Sequence, residues 1–384
     1  MRRVVVAAAL ATVLVAGACS GGSGDSGTTR VAEPVAWTQV ELPAGDQPVR
    51  LTATGDRLLI GLRHPGARPV PRLMVRSADS RLATVPLRPV SPYAFEATWQ
   101  SIATDGSRIL AIGGAPGGAH SNTRWTVWTG SAAGLVEKPQ SFNTFGGWGA
   151  GNLLDAVMTP AGTALVGSWG SDKAGLDAAV WLPSGDRWVR KSSAGSALQS
   201  TRDLLVGPRS ATAAGDGLVL AGSQVRLGNG TVRQQAAVWR SSTLDRGWTR
   251  VELPDSGERS DAVRARCTQD ACLVAGYADG RLALWRLDGA SGSRLAGLPD
   301  VAVGDKDDLP APIDADGTVV QLVADSGRVK VVTGDGATWT VRDATGPAGT
   351  VVDAARAGDA LYLVVAAPGD GPTTLWRTDL TNVR

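Results

Sequence analysis

Polar turns and short apolar runs alternate along most of the chain with a regular spacing. Each repeat begins with a turn rich in glycine or aspartate and continues with an apolar run, at steps of about 41 to 56 residues. The turns lie at residues 55–56, 105–106, 161–162, 215–216, 268–271, 316–317 and 358–359. Small and β-branched residues alternate within the runs, without a helical period. This pattern predicts four short antiparallel strands in each repeat.

Tryptophan recurs at one place in the repeat, near the end of the third predicted strand. The position is held by Trp128, Trp181, Trp239, Trp285 and Trp376, with Val75 and Val332 in the two remaining repeats. Seven units of four strands at this spacing predict an all-β fold, a seven-bladed β-propeller of four-stranded antiparallel blades. These tryptophans are therefore explained by the fold.

Two short segments far apart in the chain complete each other. Residues 37–43 (WTQVELP) match residues 248–254 (WTRVELP) at six of seven positions. The strand that precedes the second copy is missing before the first, whereas the last repeat has three predicted strands and lacks a fourth. We therefore predict that residues 37–42 join the C-terminal blade as its fourth strand. Closing the ring in this way removes free sheet edges and makes residues 37–384 one domain.

The first 36 residues have the pattern of an export signal and a linker. Arg2 and Arg3 precede an apolar run, 4–15, that is too short to span a bilayer, and small residues continue up to Cys19. This predicts a signal peptide, residues 1–18. The small residues before Cys19 resemble a bacterial lipoprotein box. The resemblance implies a lipidated Cys19 carrying palmitate and an anchor on the extracytoplasmic face of the cell membrane. The Gly/Ser-rich composition after Cys19 predicts a flexible tether over residues 19–36. Ordinary cleavage and secretion is the alternative.

A turn before the fourth strand of the sixth repeat resembles a known motif. Residues 333–339 read TGDGATW, one residue short of the Asp box, and residues 183–188 and 241–248 are weaker matches. On these turns, the chain resembles the sialidase-like, Asp-box (BNR-type) β-propellers across residues 37–380. The resemblance implies that Asp335 satisfies backbone donors in the turn and that Trp339 packs between blades. The motif then supports the fold and says little about activity.

The resemblance brings no catalytic set with it. Sialidases of this kind need an arginine triad, an acidic proton donor, a Tyr/Glu nucleophile pair and an FRIP-like stretch, and the sequence has no FRIP-like stretch. Tyr277 and Tyr362 fall in or beside second strands, which leaves Tyr93, with Glu96 nearby, as the loop tyrosine. We therefore predict a non-catalytic ligand-binding or scaffolding lipoprotein, with an exo-glycosidase of surface glycans as the alternative. Arginine and carboxylate side chains converging at the channel mouth would favour the glycosidase.

Charge and cysteine content narrow the chemistry further. A net charge of +2 without a basic cluster argues against nucleic acid as a partner. No phosphate loop or nucleotide fingerprint is present, so we expect no cofactor. Cys267 and Cys272 flank a four-residue hairpin, which predicts a disulfide in an oxidising compartment. A redox or metal pair is the weaker alternative, since only His64 and His120 could complete a metal site.

Six aromatic residues lie outside the repeated positions, on long loops of the first three blades. They are Tyr93, Phe95, Phe142, Phe145, Trp148 and Trp169. In a propeller these connections share one face of the ring, and aromatic side chains on loops over a rigid scaffold are typical of sugar or peptide sites. We predict that these loops contact a ligand, either a cell-wall glycan or a protein partner. The alternative is that the rings pack on one another and cover the channel.

Overall fold

The computed structural model describes residues 32–117, 122–228, 230–268, 271–369 and 371–384. Seven sheets follow one another along this part of the chain. Clusters of buried apolar side chains join each sheet to the next, and a further cluster joins the seventh sheet to the first. The sheets therefore form a closed ring, and the predicted seven-bladed β-propeller is confirmed.

The repeated strands of each blade follow the chain from the innermost to the outermost position, and an N-terminal or added strand, where present, lies at the outer edge. Two strands precede blade one: β1 (Val35–Ala36) and β2 (Thr38–Val40). Blade one contains β3 (Gln47–Thr54), β4 (Arg57–His64), β5 (Val70–Arg76) and β6 (Leu82–Thr84). Blade two contains β7 (Leu87–Arg88), β8 (Thr98–Thr104), β9 (Ile109–Gly117), β10 (Asn122–Ser131) and β11 (Gly134–Glu137). Blade three contains β12 (Ala150–Thr159), β13 (Gly162–Gly170), β14 (Leu176–Ser184) and β15 (Arg187–Arg190).

The remaining four blades repeat the pattern. Blade four contains β16 (Leu204–Ala214), β17 (Gly217–Gly228), β18 (Thr231–Ser241) and β19 (Thr249–Glu252). Blade five contains β20 (Ser260–Thr268), β21 (Ala271–Ala278), β22 (Arg281–Asp288) and β23 (Ser291–Arg294). Blade six contains β24 (Ile313–Ala315), β25 (Thr318–Asp325), β26 (Arg328–Gly334) and β27 (Trp339–Ala348). Blade seven contains β28 (Thr350–Ala357), β29 (Ala360–Ala366) and β30 (Thr373–Asp379). A short helix, α1 (Phe142–Phe145), and two 3-10 turns, Ala94–Glu96 and Leu380–Asn382, lie in the connections.

The second strand of most blades is among the most buried elements of the fold. Residues 58–62 of β4 and 217–224 of β17 are buried at every position. A strand whose two faces are both covered reads as a continuous apolar run instead of an alternating one. The apolar runs of the sequence are therefore the strands sandwiched between neighbouring blades.

The repeated tryptophans pack between blades. Those of blades two to five are at most 1% exposed: Trp128, Trp181, Trp239 and Trp285. Trp128 packs against Leu59 and Leu73 of blade one. Its ring N–H donates to Thr126 Oγ1 at 2.9 Å, the kind of partner that a buried indole requires. Each of these large rings thus fills the space between two sheets.

β2 closes the ring by pairing with β30 in blade seven. The antiparallel partners are Thr38 with Arg377, Gln39 with Trp376 and Val40 with Leu375. Trp37 is 6% exposed, and its backbone N–H donates to Thr345 O of blade six at 3.0 Å. The closing strand covers residues 38–40 and is shorter than the predicted 37–42, because the backbone of Trp37 is bonded to the neighbouring blade.

Two blades carry a fifth strand that the repeat does not predict. β1 pairs in parallel with β27 of blade six, and β7 pairs in parallel with β11 of blade two. Each added strand covers an outer sheet edge that would otherwise expose unpaired backbone groups. Two residues are too few to show a hydrophobic period. The four-stranded prediction therefore holds for five blades, and blades two and six differ from it.

Several predictions about the N-terminus concern residues outside the described ranges. The signal peptide, 1–18, the lipidated Cys19 and residues 19–31 of the tether lie there, and so does His120. Membrane anchoring and its alternative, secretion, stay predictions. Within the described ranges, no helix reaches the length and apolarity that crossing a bilayer demands.

Cys267 and Cys272 lie opposite each other in the first hairpin of blade five. They pair in register between β20 and β21, with Cα atoms 4.0 Å apart and their Sγ atoms bonded. Cys272 is buried in the cluster between blades four and five, and Cys267 packs against that cluster. The structure thus contains the disulfide that the hairpin spacing predicts.

The first prediction concerns ring closure. A chain that begins at Pro43 lacks β1 and β2, which leaves the edge of β30 unpaired and removes the buried Val35 and Trp37. Losing a buried Trp alone typically costs about 3–5 kcal/mol, so we expect a large fall in the urea midpoint together with aggregation. A chain that begins at Ala32 is the control and should keep the full midpoint. Equal midpoints for the two chains would contradict closure by this segment.

The second prediction concerns the disulfide. A bridge between residues five apart closes a short loop, so the chain-entropy model gives it roughly 2 kcal/mol. We expect the double variant Cys267→Ser/Cys272→Ser to fold and to lose no more than about this free energy of unfolding in urea. The unaltered protein in reducing buffer is the control, and it should lose a similar free energy of unfolding. A variant that fails to fold would show that the bridge does more than restrict the unfolded chain.

Candidate functional site

A bulge recurs at the same place in the innermost strands. The strand register shifts between Pro48 and Arg50, Trp99 and Ser101, Leu153 and Asp155, Pro208 and Ser210, Ala262 and Arg264, and Val351 and Asp353. A bulge inserts one extra residue and re-aims the side chains that follow it. Blades one to five and blade seven therefore present the residue after the bulge in equivalent positions around the central channel.

These six positions are all polar or charged. They are Arg50, Ser101, Asp155, Ser210, Arg264 and Asp353, and together with neighbouring residues they line a cavity of about 240 Å³ along the channel. At about 30 Å³ per molecule, this space corresponds to roughly eight waters. The channel can therefore hold a small ligand or the end of a longer one.

Three of the six side chains hydrogen-bond to the backbone of the next blade. Asp353 Oδ2 accepts the N–H of Leu51 at 2.9 Å, across the junction of blades seven and one. Ser101 Oγ accepts the N–H of Ala156 at 3.2 Å, and Asp155 Oδ2 accepts the N–H of Ala211 at 2.8 Å. Each bond gives a partner to a backbone N–H on the channel side of an innermost strand, where no further strand lies. The channel wall is therefore cross-linked from blade to blade.

Asp155 and Arg264 form the charged pair of this wall. Their closest Oδ1 and Nη1 atoms are 3.8 Å apart, and the side chains are 9% and 24% exposed. Burial raises the pKa of Asp155, which Arg264 opposes. Burial acts to lower the pKa of Arg264. The negative charges of Asp155, Asp353 and Asp308 outweigh this effect, so the pKa of Arg264 is raised. Each member of the pair thus favours the charged form of the other, while burial acts against both charged forms.

Arg50 and Arg266 line the same cavity without an ion pair. Within the described ranges, no carboxylate lies within 4.0 Å of either guanidinium. Arg50 donates Nε to Gln100 O at 2.8 Å, and Arg266 donates Nε to Pro312 O at 3.1 Å. Burial lowers the pKa of both groups. Arginine nonetheless remains protonated in proteins, so the channel holds two positive charges without a direct counter-charge.

A further charged cluster lies at the channel mouth, where the connections enter the innermost strands. Arg209 Nη1 is 3.4 Å from Asp261 Oδ2, and its Nη2 is 3.7 Å from Asp308 Oδ1. Asp261 is 3% exposed, and its burial raises the pKa to about 6 although Arg209 opposes the shift. Arginine and carboxylate side chains therefore do converge at the mouth. No tyrosine is among the described residues that line the cavity.

The structure separates the six predicted aromatic residues instead of joining them on one surface. Phe145 is 6% exposed, and its ring and that of Trp169 both pack edge-on against Trp181, with centroids 5.8 and 6.2 Å away. Trp148 is fully exposed. Tyr93, Phe142 and Phe145 line one groove, and Phe95 lines another, between blades one and two. Ligand contact through the exposed members stays a prediction.

None of the channel residues was among the predicted site residues. The signal that could have found them is a charged residue inside an otherwise apolar innermost strand: Arg50 after Val49, Asp155 after Leu154, Arg264 after Val263, and Asp353 after Val352. No sequence pattern marks the bulges that align these residues. No group of three His, Cys, Asp or Glu side chains in the described ranges is arranged to hold a metal ion.

No protein-family model and no curated protein matches the sequence. Solved structures do match the fold. A mutant puromycin hydrolase complexed with PGG superposes with a TM-score of 0.57 at 15% identity, over 92% of this chain and 56% of that one. A puromycin-hydrolyzing peptidase from Mycobacterium tuberculosis gives 0.54 at 12% identity, over 92% and 55%. Prolyl oligopeptidase B from Galerina marginata gives 0.51 at 10% identity, over 87% and 49%. The chain spans about half the length of these peptidases, and identities this low show a shared fold alone.

The predicted membership of the sialidase-like, Asp-box propellers is wrong, because the structural neighbours are peptidases. Asp335 does form the expected turn, accepting the N–H groups of Ala337 and Thr338 at 2.9 and 2.8 Å. Such a turn is local hairpin chemistry that does not identify a family. The same likeness contradicts the predicted function, a binding or scaffolding lipoprotein with an exo-glycosidase as the alternative. No comparison supports the lipid anchor at Cys19.

The third prediction concerns Asp261 and pH. Its pKa in the folded protein, about 6, lies above the ordinary value, so the folded state binds more protons between about pH 4 and pH 6. The contribution of Asp261 to stability is therefore greatest at low pH and falls as pH rises through this window, by up to about 3 kcal/mol. We expect Asp261→Asn to gain stability relative to the unaltered protein between pH 4.5 and pH 7, measured by urea unfolding.

The control for that measurement is Asp300→Asn. Asp300 is an exposed carboxylate that pairs with Arg281 away from the channel. Its removal should shift the urea midpoint by a similar small amount at each pH. A pH-independent difference between Asp261→Asn and the unaltered protein would show that Asp261 titrates normally.

Proposed function

We propose that this chain is a peptidase-related propeller that selects peptide substrates by capturing a terminal carboxylate in its central channel. The observation that carries the proposal is that Arg50 and Arg266 line a cavity of about 240 Å³ and that, among the described residues, neither has a carboxylate within 4.0 Å; Asp353, in the same wall, acts on both from beyond that distance. A hydrogen bond from a guanidinium to a carboxylate is stronger in such a desolvated place than in water.

The geometry leaves the required donors free. Arg50 uses Nε and Nη1 for Gln100 O and Val49 O, and Arg266 uses Nε for Pro312 O. Among the described residues, nothing accepts a hydrogen bond from Nη2 of Arg50 or from either Nη atom of Arg266. These bonds to backbone carbonyls hold the guanidinium planes in place, so a ligand carboxylate meets donors that are already oriented.

The rigid wall supports selection by size as well as charge. The bulge positions are cross-linked between blades by Ser101, Asp155 and Asp353, so the opening cannot widen without breaking hydrogen bonds. A short peptide or a chain terminus fits this space, whereas a folded protein does not. The likeness to peptidase propellers supports peptides as the ligand class, by analogy of fold.

The fourth prediction tests the carboxylate. Triglycine with a free C-terminus should bind the unaltered protein at least about tenfold more tightly than triglycine amide in isothermal titration, because only the former offers a carboxylate. Arg50→Gln and Arg266→Gln should each reduce binding of the free acid towards that of the amide. Arg187→Gln removes an exposed arginine on β15 and should bind like the unaltered protein.

Stability measurements separate a binding effect from a folding effect. Neither Arg50 nor Arg266 forms an ion pair. The Arg50→Gln and Arg266→Gln variants should therefore keep the urea midpoint of the unaltered protein within the equivalent of about 1 kcal/mol. Equal affinities for triglycine and its amide in a folded protein would overturn the proposal.

A further inference from the structure

A second groove lies on the face where connections enter blades two and three. Tyr93, Arg124, Trp125, Gln140 and Phe142 form much of its wall, around a volume of about 390 Å³. Pockets of about 300–1,000 Å³ are typical of small-ligand sites. The groove shares no lining residue with the channel. We propose that it binds an extended acidic peptide segment, with a carboxylate on Arg124 and a prolyl or aromatic side chain against Tyr93 and Phe142.

Arg124 lies beside both exposed rings, with its guanidinium over Phe142 and its stem next to Tyr93. Its guanidinium carbon lies 4.6 Å from the centroid of the Phe142 ring, a cation–π arrangement. Its stem and the Tyr93 ring both lie against β9 at Gly117. A Cβ there would approach Tyr93 Cε1 to 2.5 Å and Arg124 Cγ to 2.6 Å. Glycine at this position therefore allows the two side chains to lie side by side along the groove.

The charge of Arg124 is not neutralised by a neighbour. Within the described ranges, no carboxylate lies within 4.0 Å of its guanidinium. The carboxylate in the groove, Glu137, is 3% exposed and is already used. Its Oε2 accepts the N–H groups of Val90 and Ser91 at 2.6 Å each, and its Oε1 accepts the Ser91 hydroxyl at 2.6 Å. Glu137 thus fixes the loop that carries Tyr93 and leaves Arg124 available for a ligand.

The composition of the groove favours a peptide over a neutral sugar. Tyr93 is 37% and Phe142 56% exposed, so both rings offer an apolar face to a ligand. Aromatic-lined grooves bind prolyl and aromatic residues of extended segments. A stacked guanidinium without a counter-charge adds a preference for a carboxylate next to that residue, because a charge-assisted bond is stronger than a neutral one. A neutral glycan would leave that charge uncompensated.

The test uses a defined probe with both ends blocked, the peptide acetyl-Asp-Phe-Pro-Asp-amide. Its uncharged counterpart is acetyl-Asn-Phe-Pro-Asn-amide. We expect the acidic probe to bind the full chain at least about tenfold more tightly than the counterpart in isothermal titration. Arg124→Gln and Phe142→Ala should each weaken binding of the acidic probe about tenfold. The same titrations in the double variant Arg50→Gln/Arg266→Gln isolate the groove from the channel and should give the same affinity.

Arg190 provides a matched control. Its guanidinium lies 4.9 Å from the centroid of the Trp169 ring, also as a cation–π contact, but outside the groove. Arg190→Gln should therefore bind the acidic probe like the unaltered protein. Unchanged affinity in Arg124→Gln, or loss of binding in the channel double variant, would overturn the proposal. Binding of the neutral trisaccharide chitotriose that Phe142→Ala abolishes and Arg124→Gln does not would replace the peptide by a glycan.

Discussion

Hydrogen bonding between the two ends of the described chain holds the seven blades in a ring. β2 pairs with β30, and Trp37 bonds to blade six in the same stretch, so four consecutive residues connect two blades at once. Without this connection, the outer edge of blade seven would be unpaired and the ring could open between blade seven and blade one. The shape of the central channel depends on the closed ring, because the residues that line it come from six different innermost strands.

The channel shows how a β-sheet protein can hold charges at its centre. The bulges place Arg50, Asp155, Arg264 and Asp353 at equivalent heights, and the carboxylates are satisfied by backbone N–H groups of the next blade. Buried charges are costly unless they are paired or hydrogen-bonded. The carboxylates of the wall meet that condition within the protein, whereas Arg50 and Arg266 meet it only in part. Arg50 and Arg266 are thus the part of the wall that is suited to bind a ligand.

The sequence predicts the fold well and the functional site poorly, for physical reasons. Turn residues and buried second strands repeat in every blade, so periodicity reveals seven sheets, and Trp37 marks the closing segment. The channel residues Arg50, Asp155 and Arg264 are separated by 105 and 109 positions along the chain, and only the ring closure brings them together. The aromatic residues were easier to notice, but Phe145, in α1, and Trp169, in β13, pack around Trp181, because residues of a strand or of an adjoining helix can serve the core of a blade. The family assignment was wrong because the turn around Asp335 is a solution that unrelated hairpins share.

The pairing of β2 with β30 also has a consequence for the order of events during synthesis. Val40 leaves the ribosome before any blade exists, and its partner Leu375 follows hundreds of residues later. Contacts between such distant residues are slow to form, and an unpaired strand is prone to associate with other chains while it waits. The remaining blades can assemble from neighbouring residues as they emerge. The last step of folding is therefore the capture of the earliest strand, and a nascent chain needs protection for that segment until translation is nearly complete.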